Sequence, residues 1–216
     1  METHYTAYAK AIDGITFYFV KSYHIFPEYK NVSPIPKTYG MHTNFETACH
    51  IAYIYDKEYG FPIESDDELF ARLVLEINQA GLSWETILKK KDNFFKAYDN
   101  FEIKKVAKYN AKKFDALMQD AGIIRNRLKI NAAIENAKVI LLLQKQYGSF
   151  KNWLSENHPL SKDEWVKLFK KHFRFTGGEI VNEFLMSAGY LPGAHAASCP
   201  VYKKIIKTNP MWMQDK

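Results

Sequence analysis

The feature that most restricts how this chain can fold is the recurrence, from Cys49 onward, of apolar residues at helical spacing between helix start and stop signals. Ser65-Asp66-Asp67-Glu68 places a serine three residues before a glutamate, the spacing at which each side chain satisfies an orphan amide of a helix start. Leu69, Phe70, Leu73, Val74 and Ile77 then keep helical period, and Gly81 supplies the stop. Ser83 stands ready to cap a second helix that opens at Trp84 and carries Ile87 and Leu88. The same pattern predicts helices over 114–121, from 128 to about 146, and over 163–172 and 179–188, the last closed by Gly189. The expected fold is therefore all-α, a compact assembly of short helices.

Residues 1–48 read differently. The aromatic-rich alternation Ile15-Thr16-Phe17-Tyr18-Phe19-Val20 fits a short strand or helix, and the proline-containing stretch from Phe26-Pro27 to Pro34-Ile35-Pro36 fits an irregular arm. We read 1–48 as an N-terminal extension of unassigned role, 49–205 as the functional domain and 206–216 as a tail.

At 216 residues with 47% hydrophobic and 15% aromatic content, the chain can bury a real core, which excludes disorder and fibrous repeats. No stretch approaches the roughly 20 apolar residues of a spanning helix, and Met1-Glu2-Thr3-His4 lacks a secretory layout, so an intracellular protein without membrane attachment is expected. Two cysteines cannot build a disulfide scaffold, and the net charge of +6 favours an anionic partner. Nucleotide-binding glycine loops and the His-Glu-x-x-His zinc motif are absent from the sequence.

Four features could carry chemistry. Glu76 falls beside Leu69, Leu73 and Ala80 on a helical wheel, at the margin of the apolar stripe. Burial there would make it a functional carboxylate, whereas pairing with Arg72 four residues earlier would make it a surface ion pair. The turn Gly122-Ile123-Ile124-Arg125-Asn126-Arg127 leads into a helix whose first amides lack intrahelical partners, with Lys129 alongside. Such a turn can hold a phosphate or serve simply as a connection. Tyr53, Tyr55, Tyr59 and Trp84 would suit a planar heterocycle beside a carboxylate, and equally a packed core. His195 and Cys199, four apart, are half of a zinc site, with Cys49, His50 and His42 as possible completions; a buried cysteine near a surface histidine is the bland reading.

Taken together these segments resemble the DNA-3-methyladenine glycosylase I family of the helix-hairpin-helix DNA glycosylase superfamily, over about Ile51 to Tyr202. Tyr55-Asp56-Lys57-Glu58-Tyr59-Gly60 is similar to the family's Tyr-His-Asp-x-Glu-Trp-Gly opening. Leu75-Glu76-Ile77-Asn78-Gln79-Ala80-Gly81-Leu82-Ser83-Trp84 resembles its most diagnostic segment, and Asp120 to Ile130 resembles its hairpin. Phe175-Thr176-Gly177-Gly178 stands where the family has Phe-Val-Gly.

The resemblance implies a monofunctional enzyme that flips and excises 3-methyladenine from double-stranded, alkylated DNA, acting as a monomer. Glu76 is implied as the catalytic and base-contacting carboxylate, with Trp84, Tyr53 and Tyr59 as base-binding rings. Gly122, Ile123, Ile124, Arg125, Asn126, Arg127 and Lys129 are implied as the DNA-binding hairpin. His195 and Cys199 match the family's last two zinc ligands, but Tyr55 replaces the family's histidine ligand and no cysteine stands at its N-terminal ligand spacing. No cofactor is expected in the chemistry, and a complete structural zinc site is not expected. The competing readings are a non-catalytic binder of damaged or bent DNA and a helical protein-interaction module. Replacing Glu76 by Gln is expected to leave stability nearly unchanged.

Overall fold

A computed structural model describes residues 4–12, 15–23, 56–197 and 199–214. The chain divides into two compact units, one formed by Met1–Tyr59 with His195–Lys207, the other by Gly60–Ala194 with Thr208–Lys216.

In the first unit, β1 (His4–Ile12) and β2 (Ile15–Tyr23) pair antiparallel, from His4 opposite Tyr23 to Ile12 opposite Ile15. The aromatic alternation is thus a strand, the period-2 outcome of the two that its spacing allowed. The stretch read as an irregular arm lies outside the described residues. The helix Pro200–Lys207 also belongs to this unit and buries Val201 and Ile205; it runs across the position where the tail was expected to begin.

The second unit is the expected helical assembly, built around α1 (Asp66–Gln79). Around it stand α2 (Trp84–Ala97), α3 (Ile103–Val106), α4 (Ala111–Gln119), α5 (Arg127–Tyr147), α6 (Phe150–Asn157), α7 (Lys162–His172) and α8 (Gly178–Ser187). Every residue of α1 from Leu69 to Asn78 is buried, because α2, α3, α5, α6 and α8 all pack against it. The Ser65 hydroxyl caps it by accepting from the Glu68 amide, and Gly81, at φ 80°, ends it in a left-handed turn. Ser83 then caps α2 by accepting from the Thr86 amide. Aromatic rings fill the core, with Trp153, Trp165, Phe150, Phe169 and Phe184 among its largest fully buried members.

The acidic first turn of α1 does more than favour its own helix dipole. Asp66 accepts hydrogen bonds from the Phe150 and Lys151 amides, at 2.7 and 2.9 Å, and from Gln144 Nε2 at 2.7 Å. Asp67 accepts from the Ile103 amide at 3.0 Å. Two neighbouring helices, α6 and α3, therefore have orphan amides satisfied by side chains of α1, which fixes their starts against it. Asp66→Ala removes one charged acceptor from three donors and is expected to lower the unfolding free energy by about 2–3 kcal/mol in urea titrations. A change below about 0.5 kcal/mol would show that this cap does not hold α6 in place.

Candidate active site

Glu76 lies three-quarters of the way along α1 and is 1% exposed. Its position is the interior of the core rather than the margin of a stripe, because α1 is covered on every side. Neither carboxylate oxygen accepts a hydrogen bond from a described residue. Burial pushes its pKa up to about 8; the Arg72 guanidinium opposes that rise and the Glu183 carboxylate on α8 adds to it. Arg72 is itself buried, so an exposed ion pair between the two is not what the fold builds. A carboxyl group in a dry site with two open acceptor positions is suited to a ligand that brings both hydrogen-bond donors and positive charge.

Past Glu76 the helix closes on Ala80, whose amide donates to the Glu76 carbonyl at 3.2 Å, and the Leu82 amide donates to the Gln79 carbonyl at 2.7 Å. This turn delivers the backbone of Trp84, the first residue of α2. The Trp84 ring and all of Tyr53 lie outside the described residues. Tyr59 is buried, and it belongs to the first unit whereas Glu76 belongs to the second.

The hairpin between α4 and α5 is held by its own polar residues. Asp120 Oδ1 accepts from the Gly122 amide at 2.7 Å, and a Cβ at Gly122 would meet that oxygen at 2.9 Å and Asn93 Cβ at 3.1 Å, so only glycine fits this close approach. Ile123 is buried as the anchor of the turn. Asn126 caps α5 by accepting from the Leu128 and Lys129 amides at 3.0 and 3.1 Å. Among the described residues, the amides of Ile124, Arg125 and Arg127 have no acceptor. The Arg125 and Arg127 side chains are exposed, and the Arg127 guanidinium is steadied 5.1 Å over the Phe114 ring.

Lys129 departs from the hairpin's other cations. It is 5% exposed, and its ammonium donates to the carbonyls of Asn78 at 2.9 Å and Ala80 at 2.7 Å. The same ammonium stands 5.8 Å from the Phe175 ring. Phe175 adopts φ 58° and is 38% exposed. Its loop is held by Asn136, which accepts from the Arg174 amide at 2.7 Å and donates to the Arg174 carbonyl at 3.1 Å. Sequence reasoning did not single out Asn136; a lone asparagine inside a helical run carries no signal of its partner, 38 positions away.

In the first unit His195 Nε2 donates to the Tyr59 carbonyl at 3.1 Å, which leaves Nδ1 facing Cys199 Sγ at 3.5 Å. That spacing fits two adjacent ligands of one tetrahedral zinc. Burial raises the Cys199 thiol pKa, which works against the thiolate a metal needs. Among the described residues no third His, Cys, Asp or Glu joins the pair. The described residues thus supply half a site, and His42, Cys49 and His50 lie outside them.

Residues 44–164 match the family model for methyladenine glycosylase. The DNA-3-methyladenine glycosylase of Haemophilus influenzae is 36% identical over 174 residues, covering 72% of this chain and 93% of the relative. DNA-3-methyladenine glycosylase 1 of Escherichia coli is 36% identical over 172 residues, covering 71% and 91%. Among solved structures, the 3-methyladenine DNA glycosylase I of Staphylococcus aureus, described for its recognition of 3-methyladenine, superposes with a TM-score of 0.64 at 32% identity, covering 69% of this chain and 89% of that one. A tyrosine-to-phenylalanine variant of a 3-methyladenine DNA glycosylase I in complex with 3-methyladenine gives a TM-score of 0.63 at 32% identity, with coverages of 70% and 91%.

The burial of Glu76 changes what its substitution does to stability. In the unfolded chain the carboxyl ionises near its ordinary 4.5, whereas in the folded chain it holds its proton to about 8. Between those values the folded state binds the extra proton, so this group's contribution to stability falls as pH rises and levels off above the folded pKa. Glu76→Gln removes that slope. The expectation of an unchanged stability is replaced by a pH-dependent one: relative to the wild type, the variant gains on the order of 1–4 kcal/mol between pH 5 and pH 8.5. Denaturant titrations across that range check it, and parallel pH profiles for the two proteins would mean that Glu76 is solvated in solution.

Proposed function

The chain belongs to the methyladenine glycosylase family, and from that premise we propose that it is a monofunctional DNA repair hydrolase that excises 3-methyladenine from alkylated double-stranded DNA. The observation that carries this reading is the buried Glu76 carboxyl with two open acceptor positions, held on a helix whose end is tied to a hairpin bearing exposed arginines. We assign residues 49–205 to the glycosylase domain. The protein is read as an intracellular monomer acting where the DNA is; among the described residues no helix is long and apolar enough to cross a membrane.

Adenine methylated at N3 is cationic while still attached to the sugar, which weakens the glycosidic bond. Water adds to C1′, the base departs neutral with the electrons of the C1′–N9 bond, and one proton is released to solvent. A strong general acid is not required, so this chain's task is to extrude the base, dry it and recognise its charge. Glu76 accepts the base's amino hydrogen and supplies the counter-charge, while Trp84 provides stacking surface. The hairpin Gly122 to Arg127 receives the phosphates through the open amides of Ile124, Arg125 and Arg127 and the two guanidinium groups. No step passes through a metal, and zinc at His195 and Cys199 would serve structure only.

Chromatography of bases released from methylated DNA tests the function. The wild type is expected to release 3-methyladenine with little 7-methylguanine, because a carboxylate acceptor suits an amino edge better than a carbonyl. Glu76→Gln should slow single-turnover excision on the order of tenfold to a hundredfold. A gel shift without any released base would favour a non-catalytic binder of damaged DNA.

Replacing Arg125 and Arg127 by Ala should weaken binding of all duplex sequences alike and reduce the salt slope by about one for each phosphate that is no longer neutralised. An unchanged slope would mean that these arginines face elsewhere when DNA binds.

A further inference from the structure

α1 ends without a cation of its own: its last turn holds no basic residue, although the carbonyls there carry the negative end of the helix dipole. Lys129 supplies that cation from another helix. Its ammonium reaches the Asn78 and Ala80 carbonyls, and the Ala80 amide in turn donates to the carbonyl of Glu76. The pinned segment is thus the single turn that begins at the buried carboxylate and leads to the Gly81 reversal. The other end of the same residue is equally constrained, since the Lys129 amide donates to the Asn126 cap of the hairpin. Desolvation lowers the Lys129 pKa, so the fold keeps this ammonium buried against an energetic penalty that an apolar residue would avoid.

We infer that Lys129 is a positioning residue for base excision: it joins the DNA-gripping hairpin to the turn that carries Glu76 and sets the distance between the phosphates and the recognition carboxylate. This inference rests on the glycosylase reading above. It removes Lys129 from the set of phosphate-binding groups in which the sequence placed it. A lysine on the outer surface of the hairpin would add one ion pair to DNA, whereas a lysine turned inward adds none and acts through Glu76 alone.

The full-length Lys129→Met protein, close in shape but without charge or donors, separates these roles. At saturating enzyme, single-turnover excision of 3-methyladenine should fall at least about tenfold, while affinity for undamaged duplex and its salt slope stay at the wild-type values. Lys129→Ala supplemented with n-propylammonium should recover part of the missing rate, and n-propanol should not. A salt slope smaller by about one with an undiminished saturated rate would identify a phosphate-binding lysine and overturn the proposal. A lowered melting temperature with a wild-type saturated rate would identify a purely structural strut and overturn it as well. Should Lys129→Met not fold, Lys129→Gln, which keeps a donor for one of the two carbonyls, carries the same comparison. A wild-type chain that releases no base would overturn the glycosylase reading and the role built on it, an outcome distinct from an active wild type with an undiminished Lys129→Met.

Discussion

Complete burial of α1 is the constraint from which the remainder of the helical unit follows. A helix with one apolar stripe can leave its ends and its opposite face to water, but α1 is enclosed from Leu69 to Asn78. Its polar groups must then find partners in the protein or remain unsatisfied in a dry interior, where each would cost a few kcal/mol. At the N-terminal end the solution is reciprocal: Ser65 caps α1, and Asp66 and Asp67 cap the helices that enclose it. At the C-terminal end the carbonyls receive a lysine from α5. Among the described residues of α1, Asn78 keeps one amide oxygen without a donor, but Glu76 in the middle has both carboxyl oxygens open, which makes it the candidate site of this helix.

On the proposed function, recognition would sit on a helix that is buried from Leu69 to Asn78. A carboxylate on a loop would need its own supporting hydrogen bonds to stay in one place, whereas one on a buried helix inherits its position from the surrounding core. The hairpin follows the same logic, with Gly122 wedged against Asp120 and Asn93, Ile123 buried and Asn126 spent on the cap. What stays available outside is a short run of amides and two arginines. Phe175 is held in a left-handed backbone by the Asn136 clamp beside the Lys129 ammonium, so the end of α1, the start of α5 and the loop before α8 meet at one place.

Much of this was legible in the sequence, because capping and helix termination are local and leave signatures within a few residues. Ser65, Gly81 and Ser83 stand where a helix start, a stop and a restart were read from them. Neighbour-dependent facts were not legible. The wheel put Glu76 at the edge of a stripe because one helix's periodicity records only its own faces, and it cannot show that other helices close over the remaining side. Lys129 looked like a hairpin cation because sequence proximity to Arg125 and Arg127 says nothing about which way a long, flexible side chain turns. Asp66 carried no signal beyond its place inside the Ser65–Glu68 capping spacing, because its partners at 144, 150 and 151 are more than seventy positions away. The aromatic alternation of 15–20 left strand and helix open, since a short apolar run fits either until its pairing partner is known.

The raised pKa of Glu76 gives the proposed selectivity a physical basis that shape alone would lack. At neutral pH the unliganded carboxyl holds its proton for most of the time, since its pKa is about 8. A neutral adenine brings no charge into the site, so it meets either a protonated acid that has lost its best acceptor character or a buried carboxylate with no counter-ion. A methylated base arrives already cationic, and its charge does for Glu76 what Arg72 does only in part: it favours ionisation, releases the proton and converts the carboxyl into a charged acceptor. The electrostatic gain is thus available only to the lesion. Because the same positive charge weakens the glycosidic bond, the property that admits the base to the site is the property that makes it leave the sugar.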